Sequence, residues 1–555
     1  MSSEINTDLH PSRRPRAPRR GFFLVLVLVV VAVATMAVYS FTELMVAYDD
    51  SANLSGDLVQ ARVNVESGVD TIRLLLSQPP TTRLDYGGLY NNPSMFQAIT
   101  VSSGIDGVTP ANFTVVAPGM SETGTLAGIR FGLQNESARL NINTLTVLEE
   151  NSDLIIPTLA LTGADTEEVD AENLAVSLLM ALPGMTEDVA DAILDWLDSD
   201  DEMRPFGAEL EYYTTLPTPY SPANGPIKSV EELLLVRGVT PTLLFGADAN
   251  RNGVLDADEQ QRYGVSIETP GSLGWAAYLT VNGAEGNRTR DGLPRVDVNS
   301  DDLETLYDEL FDALGDELYA SYIVAYRMYG ESPVAAAAAA SGNNNNGNVQ
   351  SAGVWTAEQF GQLDLSAGAK TTVNQVLDLV GSSVTIGNGD NQRKYTSPFA
   401  EDPISMAIYL PLLMDVLTTQ DVDSLPGRIN LNECPAELLY GIPTLDEETV
   451  QALIESRTTE SDDPNREFAT WPLVEGILTL DQMRTLIPLL TGGGDVYRAQ
   501  IVGYFEQSGI ASRSEVIIDA TSVNPKVISW KDLSHLGRGF DLSVLGQRSA
   551  GLSNE

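Results

Sequence analysis

The stretch "RRGFFLVLVLVVVAVATMAVYSF" (residues 19–41) joins a basic start to a long apolar run. No charged side chain occurs in residues 22–38. Because an α-helix rises about 1.5 Å per residue, residues 22–41 would extend about 30 Å, which is the thickness of a bilayer's hydrocarbon core. Five arginines precede or open the run, and Lys and Arg are enriched on the cytoplasmic side of membrane helices. The stretch predicts a single membrane-spanning helix with a cytoplasmic N-terminus. The five basic residues are Arg13, Arg14, Arg16, Arg19 and Arg20.

Two kinds of signal peptide are alternatives to a plain anchor. A secretory signal would be cleaved within "ATMA" (Ala34–Ala37), although its apolar region is usually shorter. The basic leader that ends at Gly21, followed by Phe22 and the apolar helix, resembles a prepilin-type signal. In that family a membrane peptidase cuts after the glycine and methylates the new N-terminus, which makes Gly21 and Phe22 the predicted processing residues. Leu26 stands where most pilins have a glutamate, a departure that either fits a subunit with no other subunit above it or counts against a pilin.

Composition limits the possible functions. The 555 residues are enough for two or three domains. They include 77 acidic and 32 basic residues, for a net charge of −45, which disfavours nucleic acid and favours calcium. Cys434 cannot form an intrachain disulfide, and the two histidines, His10 and His535, make a histidine-rich zinc site unexpected. The sequence lacks the common hydrolase, metalloprotease and nucleotide-binding motifs, so we expect no enzyme.

The segment "DANRNGVLDADE" (Asp248–Glu259) matches a calcium-binding loop at every position. Gly253 takes position six, where the chain turns sharply, and Val254 offers its carbonyl at position seven. An acidic turn that only resembles such a loop is the alternative. The predicted ligands are Asp248, Asn250, Asn252, Val254, Asp256 and Glu259.

A short motif recurs three times, as "RLNINTLTVL" at 139–148, "RVDVNSDDLETL" at 295–306 and "RINLNECPAELL" at 428–439. Its second asparagine (Asn143, Asn299 or Asn432) is placed to cap a following helix. Segments 178–198 and 438–457 each read as two short helices around a tight turn, like a helix-hairpin-helix unit. Their acidic surroundings disfavour phosphate binding, so both are predicted to be structural.

Together these segments resemble the minor pseudopilin K family of type II secretion, the general secretion pathway protein K family. The most specific segment runs from "LPGMTEDVADAILDWLDSDDEMRPFGAELEYY" to "VEELLLVRGVT", within residues 182–240. The resemblance covers roughly residues 19–76, 130–245 and 425–530, whereas 265–420 looks like an enlargement. The matching residues in the central segment are Asp195-Trp196-Leu197-Asp198, Asp200, Gly207-Ala208-Glu209, Tyr212, Pro219-Tyr220, Asn224 and Val236-Arg237-Gly238.

The resemblance implies an α+β fold: a pilin-like long N-terminal transmembrane helix and an antiparallel β-sheet, with a large inserted, mainly helical domain of helix-hairpin-helix or SAM-like type. The implied division, in chain order, is 1–21 leader, 22–76 helix, 77–135 pilin-like strands, 136–425 inserted domain with the calcium loop and a low-complexity loop at 334–348, 426–536 second hairpin unit and C-terminal strands, and 537–555 tail.

The resemblance also implies a non-enzymatic subunit at the tip of the pseudopilus, anchored in the inner membrane with its C-terminal region in the periplasm. Its partners would be the I-type and J-type minor pseudopilins, other pseudopilus subunits and the prepilin peptidase, and not nucleic acid. It implies calcium in the inserted domain, which adds Asp198, Asp200 and Glu209 to the predicted ligands; by spacing they also fit a solvated acidic loop. A minor pilin of a related type IV pilus or competence system, a membrane-anchored DNA-binding protein and a membrane-anchored hydrolase remain alternatives.

Overall fold

The computed structural model describes the chain in ten ranges of residues, and the chain divides into two compact units. The described residues are 20–102, 110–150, 174–267, 269, 271–332, 350–387, 391–459, 461, 463–505 and 509–546. Residues 1–19 of the predicted leader, the side chains of Gly21 and Phe22, and the predicted loop 334–348 lie outside this description. The two units are residues 1–60 and 61–555.

The helices vary widely in length, and the first, α1, has 57 residues. In chain order they are α1 Arg20–Leu76, α2 Pro80–Asp85, α3 Pro93–Phe96, α4 Leu145–Glu150, α5 Leu174–Met180, α6 Glu187–Leu197, α7 Leu210–Thr214, α8 Pro241–Phe245, α9 Ala257–Tyr263, α10 Leu303–Leu314, α11 Glu317–Tyr329, α12 Pro403–Val416, α13 Ala436–Tyr440, α14 Glu447–Ser456, α15 Trp471–Val474, α16 Leu480–Leu486 and α17 Leu542–Leu545.

Most strands are short, whereas β2 and three strands near the C-terminus have seven to ten residues. In chain order they are β1 Ile99–Ser102, β2 Ala111–Met120, β3 Leu126–Arg130, β4 Gln134–Asn135, β5 Leu140–Asn141, β6 Leu279–Thr280, β7 Ala284–Gly286, β8 Val296–Asp297, β9 Gln350–Val354, β10 Ser383–Ile386, β11 Arg393–Thr396, β12 Leu417–Thr418, β13 Ser424–Pro426, β14 Ile429–Asn430, β15 Leu490–Thr491, β16 Val496–Phe505, β17 Ala511–Asp519 and β18 Lys526–Asp532.

The predicted N-terminal helix is confirmed as an element. Within α1, an 18-residue window has a mean hydropathy of 2.7, and the helix is long and apolar enough to cross a membrane. The large apolar side chains of residues 23–59 are exposed, as a helix destined for a lipid or protein environment requires. This part of α1 belongs to the first unit, and its last turns belong to the second.

The predicted antiparallel sheet is also confirmed. Its strands run in the order β1-β2-β16-β17-β18, with β3 paired to β2 and β4 paired to β16. The pairings between β1, β2, β16, β17 and β18 are all antiparallel. Strand β16 thus joins the N-terminal strands to the C-terminal hairpin, although β4 and β16 are separated by residues 136–495.

The two faces of this sheet carry different cores. On one face, α1 packs Val65, Val69 and Ile72 at helical spacing against a cluster that includes Phe113 and Ile501. The neighbouring residues along the strands point to the opposite face because side chains alternate along a strand. There Val116, Val502 and Tyr504 pack with Phe540 and Leu545 from the C-terminal segment.

The three copies of the recurring motif fold alike. In each copy the residues after the arginine form a two-residue strand that pairs in parallel with a Leu-Thr strand: β5 with β6, β8 with β12, and β14 with β15. The hydroxyl of each threonine accepts a hydrogen bond from the backbone N–H two residues later. Each copy therefore begins a segment that a parallel Leu-Thr strand closes, and the described residues of 139–282, 295–420 and 428–493 are called the first, middle and last modules.

The capping role predicted for the second asparagine is wrong. The Asn143 side chain accepts a hydrogen bond from the backbone N–H of Ile227 at 2.9 Å and donates one to the carbonyl of Ile227 at 3.0 Å, and together these two bonds clamp that backbone. Asn299 clamps both groups of Val373 in the same way, each at 2.9 Å. Asn432 donates to the carbonyls of two distant residues. These side chains hold long-range backbone in place because their amides offer a donor and an acceptor together.

The middle module accounts for most of the segment without a family resemblance. It lies within residues 265–420 and contains α10, α11 and α12, with a buried core that includes Leu306, Leu310 and Ile323. Two short helices joined by a turn also lie at both predicted hairpins: α5 with α6, and α13 with α14. All these helices share one large apolar cluster with the other modules.

Candidate metal centre

Three carboxylates meet where α6 ends. Asp195 lies in the last turn of α6, Asp198 follows the helix as its C-cap, and Glu209 caps the start of α7. One carboxylate oxygen from each lies within 4.8 Å of the other two, a grouping found only here among the described residues. Asp195 is fully buried and Glu209 is 5% exposed. Oxygen ligands at this spacing suit a hard divalent cation such as calcium.

Two oxygens of this group accept no hydrogen bond from the described residues. The Asp195 carboxylate accepts the backbone N–H of Arg204 on Oδ1, whereas its buried Oδ2 has no partner. Glu209 accepts the N–H of Leu210 on Oε2, and its Oε1 also has no partner. Buried polar atoms are nearly always satisfied, so an unsatisfied pair of anionic oxygens fits a site built to hold a cation.

Electrostatics support the same interpretation. Burial raises the pKa of Glu209 to about 7, with further contributions from the nearby Asp195 and Asp198 carboxylates. Burial also raises the pKa of Asp195. A cation between the carboxylates would remove this repulsion and favour their charged forms. The donor set, which consists of carboxylate oxygens alone, fits calcium.

Gly207 leaves the space that the Asp195 carboxylate occupies. A Cβ atom added to Gly207 would lie 1.9 Å from Oδ2 of Asp195, so no other residue fits without moving that carboxylate. Around the site, Trp196 packs edge-on against Tyr213 and Tyr220, with ring centroids at 5.1 and 6.2 Å. These aromatic residues belong to the family-like segment and fix the ends of α6 and α7.

The structure changes the predicted ligand set at one position. Asp200 is exposed and its side chain accepts the N–H of Glu202 at 2.7 Å, so it does not join the group of three. Asp195 takes its place in the group, a position that the sequence prediction did not include. The sequence did hold a signal: Asp195 and Asp198 are three residues apart, and residues at that spacing lie on the same side of a helix.

The predicted calcium loop has the turn that such loops need. Gly253 has a φ of +79°, as required at position six. Oδ1 and Oδ2 of Asp248 accept the N–H groups of Asn252 and Gly253, at 3.0 and 2.9 Å. Glu259 accepts two loop N–H groups, from Asn250 at Oε1 and from Asp256 at Oε2, both at 3.1 Å.

The predicted calcium ligands of the loop also hydrogen-bond to one another, through their amide and carboxylate groups. Asn250 and Asn252 donate from Nδ2 to the Asp256 carboxylate at 2.6 and 3.1 Å. Burial, and to a lesser degree Glu259, raises the pKa of Asp248 to about 7. The three acidic side chains are not gathered as tightly as Asp195, Asp198 and Glu209. The donor types still fit calcium, which takes carboxylate, amide and backbone oxygens together.

The comparisons with known proteins agree with the predicted family over part of the chain. Residues 138–245 match the profile described as type II secretion system (T2SS), protein K. That range holds the group Asp195, Asp198 and Glu209 and ends just before the predicted calcium loop. The predicted resemblance is confirmed there: residues 138–245 carry the protein K domain of type II secretion. No curated protein sequence matches the chain.

A solved structure also aligns with the chain. Its description is "The Crystal Structure of the GspK-GspI-GspJ complex from enterotoxigenic Escherichia coli Type 2 Secretion System". The alignment covers 87% of this chain and 99% of the other, at 10% identity and a TM-score of 0.32.

Proposed function

We propose that this chain is a minor pseudopilin at the tip of the type II secretion pseudopilus, where it helps to start pseudopilus assembly for protein export across the outer membrane. The observation that carries the proposal is the protein K domain at 138–245, held in a chain whose long apolar N-terminal helix leads into an antiparallel sheet. In this proposal the helices and modules between β4 and β16 form a domain inserted into the sheet. The subunit acts by binding other subunits and not by catalysis.

The proposed location follows from the N-terminal sequence. The arginines before α1 keep the N-terminus cytoplasmic, and the helix crosses the inner membrane once. The sheet and the modules are then periplasmic. Removal of the leader by the prepilin peptidase would free Phe22 for methylation, and the helix would enter the filament.

The proposed partners are the I-type and J-type minor pseudopilins. The aligned E. coli structure is a complex of GspK with GspI and GspJ, which supports, for this chain, a search for the same two classes of partner. A large periplasmic body on the subunit would block addition of another subunit above it. This agrees with Leu26, which lacks the carboxylate that pilins use to pair with the next subunit.

Calcium is proposed to bind at both candidate sites as a structural ion. At the first site Asp195, Asp198 and Glu209 would hold it, and at the second the ligands of the Asp248–Glu259 loop would do so. Bound calcium would neutralise the buried carboxylates and tie α6 to α7, and the loop to the sheet. We propose no chemical step at either ion.

Deletion of the chain in its host, with complementation by variants, tests the proposed function. Loss of type II export and of co-purifying I-type and J-type pseudopilins would support it. The Asp195→Asn variant should lower export and complex recovery, while Asp200→Asn serves as the matched control outside the group. Normal export combined with lost pili or lost DNA uptake would instead assign the chain to a related pilus or competence machine.

A further inference from the structure

The C-terminal segment 537–546 is firmly attached to the sheet. Phe540 is 6% exposed and Leu545 is fully buried, both within the cluster on the second sheet face. The backbone carbonyl of Leu545 accepts hydrogen bonds from the Tyr504 hydroxyl at 2.6 Å and from the Thr114 hydroxyl at 2.9 Å. This segment therefore covers apolar side chains of β2 and β16 that would otherwise be exposed.

The segment also contacts the candidate calcium loop through one side chain. Asn252, at position five of the loop, donates from Nδ2 to the Gly539 carbonyl at 2.7 Å. Gly539 has a φ of +75°, and a Cβ atom there would lie 1.7 Å from Nη1 of Arg513. The turn at Gly539 is thus held between the loop and this arginine of β17.

Arg513 connects the same loop to the sheet. Its side chain is fully buried, and it donates to the backbone carbonyl of Asn250. Gln500 of β16 adds a second link, from Nε2 to the carbonyl of Arg251 at 2.7 Å. The loop, the sheet and the C-terminal segment therefore meet at Arg513. The guanidinium of Arg513 interacts electrostatically with the loop carboxylates, most strongly with Asp248.

We propose that the Asp248–Glu259 loop is a calcium-dependent clasp for the C-terminal segment 537–546. The inference rests on the proposed calcium binding of this loop. Position five needs a side-chain oxygen for calcium, which Asp and Asn both provide. Asn252 has in addition an NH₂ group, so one side chain can serve the ion with its oxygen and hold Gly539 with its nitrogen. Without calcium the loop carboxylates repel one another and the clasp weakens.

Release of the clasp would uncover a defined surface. The apolar side chains beneath the segment are Val116, Val502 and Tyr504, all less than 2% exposed in the clasped state. Calcium would thereby decide whether this face of the sheet is covered by the chain's own C-terminus.

Hydrogen exchange on the full-length chain in detergent tests the clasp. The amides of Val544 and Leu545, which donate to Asp541, should exchange roughly tenfold faster after calcium is chelated. The Asn252→Asp variant keeps a calcium ligand and removes the donor to Gly539, so its segment should exchange fast even with calcium. The Asn250→Asp variant adds the same charge to the loop at a residue whose side chain does not contact the segment, so faster exchange of 537–546 in Asn252→Asp than in Asn250→Asp reports the lost donor to Gly539.

The loop amides, followed in the same experiment, separate the two possible failures. Slower exchange in 248–259 with calcium, together with unchanged exchange in 537–546, would overturn the clasp and leave calcium binding intact. If amide exchange in 248–259 does not change when calcium is added, both the clasp and the proposed calcium binding of the loop are overturned. Linkage adds an independent check, because Leu545→Asp, which expels the segment, must weaken calcium binding by the loop if calcium favours the clasped state.

Discussion

At the scale of single residues, the chain buries two carboxylates that its own hydrogen bonds satisfy on one oxygen each. Oδ2 of Asp195 and Oε1 of Glu209 lie in the protein interior without a donor from the described residues. Leaving a charged group in that state destabilises the fold unless a cation or a proton compensates it. The charge of this pair therefore couples the stability of the fold to pH and to the proposed calcium ion.

The pH dependence of the calcium-free chain follows from the raised pKa of Glu209. Burial moves it from the ordinary 4.5 to about 7, so between these values the folded chain binds more protons than the unfolded chain. The free energy of unfolding must then fall as pH rises through that window. We expect thermal unfolding with a chelator present to show this slope, and Glu209→Gln to reduce it. Glu211→Gln, an exposed neighbour, should leave the slope unchanged, and added calcium should flatten it in the wild type.

Gly207 gives a steric test of the same site. Gly207→Ala forces a Cβ atom against Oδ2 of Asp195, at 1.9 Å in the present backbone. The strain should cost about 1–3 kcal/mol in the free energy of unfolding and should lower calcium affinity. In Gly225→Ala the nearest atom to the new Cβ lies 3.9 Å away, which makes it the control. Equal urea midpoints for the two variants would show that the carboxylate is not fixed in place.

At the scale of elements, the sequence predicts where the repeated segments lie better than it predicts what their side chains bind. The three Arg-led motifs were visible as repeats, and each does begin a module of the fold. The partner strands, Leu279–Thr280, Leu417–Thr418 and Leu490–Thr491, were not foreseen, because two residues carry no periodic signal. The same limit explains why the capping role predicted for the asparagines was wrong. In the sequence, an asparagine that caps a nearby helix cannot be distinguished from one that hydrogen-bonds to distant backbone.

The clamp by Asn299 can be tested by removing it. Asn299→Ala would leave the N–H and carbonyl of Val373 without their partner inside the middle module. The loss of satisfied buried polar groups should cost about 1–3 kcal/mol, measured by urea unfolding. Asn374→Ala is the matched control, since that residue is exposed and its hydrogen bond to Asp378 comes from the backbone N–H, which the substitution keeps. If Asn299 were only a helix cap, its removal would be no worse than other cap losses and Val373 would keep its exchange protection.

At the scale of the whole molecule, local patterns predicted the ends of the chain well and the middle poorly. The N-terminal helix follows from its composition, and the strands 496–505, 511–519 and 526–532 lie within the range 426–536 predicted to hold the C-terminal strands. The order of strands in the sheet could not follow from composition, because β2 and β16 pair across more than three hundred residues. The group of Asp195, Asp198 and Glu209 shows the same limit, since Glu209 reaches Asp195 through a turn and not through periodic spacing.

The processing of the N-terminus decides whether these parts belong to a pseudopilin. We expect the chain purified from membranes to begin at N-methylated Phe22, because the basic leader ending in Gly21 precedes an apolar helix that a prepilin peptidase would retain. Mass spectrometry of the intact protein measures this directly. Gly21→Val should leave the leader in place and abolish export, whereas Gly56→Ala, in a helical position with no atom near the added Cβ, should be processed normally. A chain that begins at Met1 or after Ala37 would contradict the pseudopilin assignment, since a subunit with a charged leader or without its apolar helix cannot pack into the filament core.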